Sequence, residues 1–127
     1  MNRLTPVLIL LVLVVSACSQ GDSVDSLPPG EAGRGEALFT QSINGAPPCS
    51  GCHTLDGTAL VGPGFQAYGE TASTRRTGST AQDYTYTSIV RPSAYVVDGF
   101  SNVMYSQYGQ RLSPQQIADL IAYLLTL

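Results

Sequence analysis

The sequence contains no lysine, and nine acidic residues outnumber its six arginines, so the whole chain carries a formal charge of −3. Nucleic acid is excluded as a partner on that ground, because binding phosphates needs clustered Lys and Arg. There is a single histidine, His53, so any imidazole ligand to a metal must come from that residue. No apolar run is long enough to cross a bilayer: Val7–Val15 is unbroken but spans nine residues, where a transmembrane helix needs about 20. Alternation of apolar and polar residues is also scarce, which argues against sheets. At 127 residues the chain has room for one domain and no second sizeable core.

What is present begins with an export signal. Arg3 supplies a positive start and Val7–Val15 the short apolar core of a signal peptide. The run ends in Val15-Ser16-Ala17-Cys18, which resembles the lipobox of bacterial lipoproteins. That resemblance implies a leader over residues 1–17, cleavage before Cys18, and a diacylglyceryl group on the Cys18 sulfur, since several acyl chains hold to a membrane far better than one. Losing Arg3 with the leader makes the mature chain one unit more negative. Residues 19–33 are polar and rich in Gly, Pro and Ser, so residues 18–33 read as a lipidated cysteine with a flexible tether of roughly 20 Å reach.

The folded domain is expected over residues 34–127. Gly35–Gln41 reads as a short helix with Leu38 and Phe39 inward. Thr80–Val90 reads as a second, with Thr80 as N-cap, Asp83 three residues on, Tyr86, Ile89 and Val90 on its apolar face, and Arg91-Pro92 as its stop. The last is the clearest: Ser113 caps, Pro114 opens, Gln116 completes a capping box, and Ile117, Leu120, Ile121, Leu124 and Leu125 form one apolar stripe. The class is therefore all-α with long loops.

Cys49-Ser50-Gly51-Cys52-His53 has the C-x-x-C-H spacing of c-type haem attachment. Two sulfurs three positions apart can form thioethers to the two vinyl groups on one porphyrin edge, and the next imidazole can then reach the iron. A structural zinc site needs four Cys or His ligands, and only three cluster here. A thioredoxin-like dithiol needs a βαβ setting that the chain does not show. Haem thus outweighs both, and it accounts for all three cysteines: one lipid and two thioethers. Beyond the leader there is one methionine, Met104, in a loop before the last helix, and His/Met ligation is typical of electron-carrying cytochromes.

With these residues in place, Gly35–Leu127 resembles class I cytochrome c, a fold of three to five short helices wrapped around one covalent haem c. Its markers occur in order: Gly35 and Phe39, the haem motif, Val61-Gly62-Pro63, the Met104 loop, and a closing helix with Tyr123. The resemblance implies that Gly35 and Phe39 cross Tyr123, that His53 and Met104 are the axial ligands, and that the Pro63 carbonyl accepts a hydrogen bond from the second nitrogen of His53. Ser88–Phe100 is similar to the cytochrome c domain fused to subunit II of some haem-copper oxidases. One departure touches the ligand: family members often place proline after the ligating methionine, and here Tyr105 follows Met104.

These features lead us to expect a membrane-anchored carrier of single electrons rather than an enzyme, exported and held at the outer face of a bacterial cell membrane or facing the periplasm. Its partners would be a donor and an acceptor redox protein, with a terminal oxidase or a quinol-oxidising complex as candidates. Without lysine, docking through a lysine ring is excluded, so the partner face should be less acidic or largely apolar. A fixed subunit of a larger complex and an open-iron haem enzyme or sensor are the rival readings. For the haem propionates, Arg75-Arg76 reads more as solvated surface than as an ion partner, while Tyr68, Tyr84 and Tyr105 are candidates to line the crevice.

Overall fold

The computed structural model describes residues 23–127, so the leader and Cys18 lie outside the described residues. Five α-helices follow in order: α1 (Ala32–Phe39), α2 (Tyr68–Thr74), α3 (Ala81–Val90), α4 (Tyr108–Arg111) and α5 (Pro114–Leu124). Among the described residues there is no strand, only isolated bridges at Ile43–Ala46 and His53–Ala59, so the fold is all-α as expected. Long loops separate the helices, and the core runs from Phe39 to Leu124 through the aromatic residues between them.

Two helices start where their capping residues place them. The Asp83 N–H donates to Thr80 Oγ1 at 3.1 Å while the Asp83 carboxylate accepts from the Thr80 N–H, closing a capping box on α3. Ser113 and Gln116 do the same for α5, at 3.2 Å and 2.8 Å, with Pro114 at its first position. Four residues of the α5 stripe are buried, while Leu125 is the C-cap and only partly covered. On α3, Tyr86 and Ile89 are buried and Val90 partly so. Tyr84 and Thr85 are buried as well, because α2 packs on that side. The Thr85 hydroxyl donates to the Ala81 carbonyl at 2.7 Å, so the Tyr68 hydroxyl is the donor in its 3.1 Å bond to Thr85 Oγ1.

The central contact is α1 across α5. A Cβ on Gly35 would fall 2.6 Å from the Tyr123 Cβ and collide with the Asp119 carbonyl, so the backbones meet this closely only because Gly35 has no side chain. Phe39 then meets the Tyr123 ring edge-on, with centroids 5.9 Å apart. This is the crossing that the family resemblance implied.

The entry to the domain differs from the expectation. The helix begins at Ala32 and not near Arg34, because the Glu31 carboxylate accepts from the N–H groups of Gly33 and Arg34. The flexible reading of residues 19–33 fails from Val24 onward. Val24 and Leu27 pack against the core, the Glu31 N–H donates to Asp119 at 2.8 Å, and Gln115 donates to the Pro29 carbonyl at 2.9 Å. Two apolar side chains and a few directed hydrogen bonds are enough to dock a segment whose composition looks like a linker.

Candidate cofactor-binding site

The Cys49–Gly51 stretch is a 3₁₀ turn, held as Cys52 N–H and His53 N–H both donate to the Cys49 carbonyl, at 3.1 Å and 3.0 Å. One turn therefore carries Cys49, Cys52 and His53 together. Among the described residues neither cysteine is part of a disulfide. Burial is the chief reason the Cys49 thiol is pushed up to about 11, so it stays protonated in the chain alone.

The loop after the turn folds back over His53. Gly62 N–H donates to the Cys52 carbonyl at 3.0 Å and Phe65 N–H to the Thr54 carbonyl at 2.9 Å. This brings the Pro63 carbonyl 2.8 Å from His53 Nδ1. A carbonyl only accepts, so Nδ1 carries the proton and Nε2 keeps a free lone pair. Burial lowers the His53 pKa, with the Pro63 bond opposing it, and the ring stacks on Phe65 at 4.4 Å and 15°. Gly62 is required here: a Cβ would stand 2.8 Å from Nδ1 and 3.0 Å from Nε2.

His53, Cys49 and Cys52 line one cavity of about 360 Å³ together with Met104, Tyr68, Tyr84 and Tyr105. Its volume lies in the range of cofactor and ligand pockets, about 300–1,000 Å³. Among the described residues, no Asp, Glu, Lys or Arg side chain lines it. Met104 is partly buried against the core, whereas Val61 and Val103, at 54 % and 61 % exposure, stand at the cavity's solvent edge. Neither Arg75 nor Arg76 lines the cavity; the Arg75 carbonyl accepts from the Tyr95 hydroxyl at 3.2 Å. Among the described residues no group of three His, Cys, Asp or Glu side chains is placed to hold a metal ion. The sequence pattern missed Phe65 and Tyr108. An aromatic residue two positions beyond the proline was the available signal for the first, and Tyr108 carried none.

Two thiols, a neutral imidazole with an available Nε2 and a thioether, set around an uncharged apolar cavity, fit a flat macrocycle carrying a metal. The fold and site thus define a small all-α domain with a cofactor-sized cavity between its helices and loops. The family model for cytochrome c matches residues 32–127, and the chain belongs to the cytochrome c family. The match starts where α1 starts. A search of curated proteins finds no match. Membership implies haem c and a haem-based role in electron transfer.

Proposed function

We propose that this chain is a mono-haem carrier in which Cys49 and Cys52 would hold haem c through thioethers, His53 Nε2 and the Met104 sulfur would bind its iron, and Pro63 fixes the His53 ring. The observation that carries this reading is the Pro63–His53 hydrogen bond of 2.8 Å, which leaves Nε2 free in a cavity that Met104 also lines. Bound there, haem supplies a one-electron iron couple. The chain's own part is to hold ligands in place and keep water away. Pro63 and Phe65 prevent the imidazole from turning, and the uncharged wall of tyrosines and aliphatic residues raises the reduction potential by disfavouring the extra charge of ferric iron.

We further read Cys18 as a lipidated anchor at the outer face of the cell membrane, with the domain exchanging electrons between respiratory-chain proteins. Support for the anchor is the Val15–Cys18 pattern behind an export signal. Support for the partner face is the uncharged cavity edge with Val61 and Val103, together with the absence of lysine. A terminal oxidase or a quinol-oxidising complex fits as acceptor or donor. Native sizing of the detergent-extracted protein distinguishes a shuttle, which migrates alone, from a fixed subunit.

The ferric absorption spectrum tests the site. The wild-type protein is expected to be low-spin with a weak long-wavelength sulfur-to-iron band, and Met104→Ala to lose that band and turn high-spin. High-spin features in the wild type, or pigment extractable by acidified organic solvent, would defeat the assignment.

A further inference from the structure

The Met104 loop has no proline after the methionine, which raises the question of what holds it. Inside the loop, Phe100 N–H donates to Val97 and Val103 N–H to Ser101, and Gly99 takes a φ of 86° that suits glycine. Directly afterwards comes α4, four residues long and far too short to stand alone. Both its ends are tied to the segment leading into the haem motif. The Tyr108 hydroxyl donates to the Pro47 carbonyl at 2.8 Å, and Asn44 Nδ2 donates to the Arg111 carbonyl at 2.8 Å. Tyr108 is 6 % exposed, and its ring meets Tyr105, the neighbour of Met104, edge-on at 5.1 Å and 74°.

We propose that Tyr108 is a positioning residue for the iron site: through Pro47 and Tyr105 it locks the Met104 loop to the entry of Cys49, and so sets how often the thioether leaves the iron. The inference rests on the axial assignment above and adds to it the element that stands in for the missing proline. Pro47 lies two residues before Cys49, so one buried hydroxyl joins the thioether end of the site to the methionine end. Burial holds the Tyr108 hydroxyl protonated well above the usual tyrosine range, and a protonated hydroxyl can donate to a carbonyl. Its loss would also leave the Pro47 carbonyl without that partner.

Imidazole titration of the ferric holoprotein reads the clamp directly. An added ligand competes with Met104, so its apparent affinity rises with the fraction of chains in which the sulfur is off the iron. In Tyr108→Phe, imidazole should bind roughly two- to tenfold more tightly than in wild type, the range one net hydrogen bond controls. The sulfur-to-iron band should also vanish at a lower temperature than the far-ultraviolet helical signal. Asn44→Ala, which cuts the tie at the other end of α4, should act in the same direction and keeps the question answerable if Tyr108→Phe does not fold. Met104→Ala sets the upper limit of imidazole affinity. Wild-type imidazole affinity in these variants, whatever their melting temperature does, would overturn the clamp. A wild type binding imidazole as tightly as Met104→Ala would overturn the axial assignment, and the clamp with it.

Discussion

Gly62 shows how little room the site leaves at a single residue. Its N–H is committed to the Cys52 carbonyl at 3.0 Å, and its missing side chain is what lets Pro63 reach His53. An added methyl would push into the imidazole, with 2.8 Å to Nδ1, and neither the backbone bond nor the stacked Phe65 gives way without cost. Gly62→Ala is therefore expected to lower the haem bound per chain and to add high-spin character to the ferric spectrum. The ratio of haem to protein absorbance measures the first, and an unchanged ratio with an unchanged spectrum would refute the steric argument. The Val61-Gly62-Pro63 pattern was visible in the sequence, but the reason for its glycine lies in an imidazole nine residues earlier.

The α1–α5 crossing carries a buried carboxylate that no helical stripe announces. Asp119 lies among the apolar residues of α5 and is 2 % exposed. It accepts from Arg34 at 2.8 Å and 2.9 Å, from the Glu31 N–H at 2.8 Å and from Gln115 at 2.9 Å. The Arg34 guanidinium is the main reason its pKa falls to about 2 from an ordinary 3.8. A depressed carboxylate stabilises the fold above its unfolded pKa and loses that contribution as pH falls through the folded one. Arg34 is half exposed and partly screened, so about 1–2 kcal/mol is a fair magnitude for this carboxylate near neutral pH. Asp119→Asn should thus lower the melting temperature at about pH 7, with the gap to wild type narrowing as pH drops from about 4 to 2. Thermal unfolding followed at several pH values checks this, and a gap independent of pH would contradict it. The α3 and α5 boundaries were legible because Thr80, Asp83, Ser113 and Gln116 act within their own helices. Neither α2 nor α4 was legible. They are short and have no apolar stripe, and α2 depends on distant partners such as the 3.0 Å bond from Gly69 N–H to the Leu127 carbonyl.

At the scale of the whole molecule, the proposed haem would complete the core. Without it, the apolar wall of a 360 Å³ cavity would face water and lose its packing partners, in a fold whose net stability is typically only about 5–15 kcal/mol. The double variant Cys49→Ala, Cys52→Ala, freed of haem, is expected to lose its cooperative thermal transition and most of its near-ultraviolet circular dichroism. A sharp transition at the holoprotein's temperature would show that the helices need no haem. The sequence by itself determined the haem-motif turn, the caps of α3 and α5 and the all-α class, because each depends on residues three or four positions apart, within reach of one another as soon as the backbone turns. Only the tertiary structure decided that Asp119 would hold the entry segment from 88 residues away and that Tyr108 would bond Pro47 across 61. Such pairs leave no periodic trace in the chain, since their geometry exists only after the helices have packed.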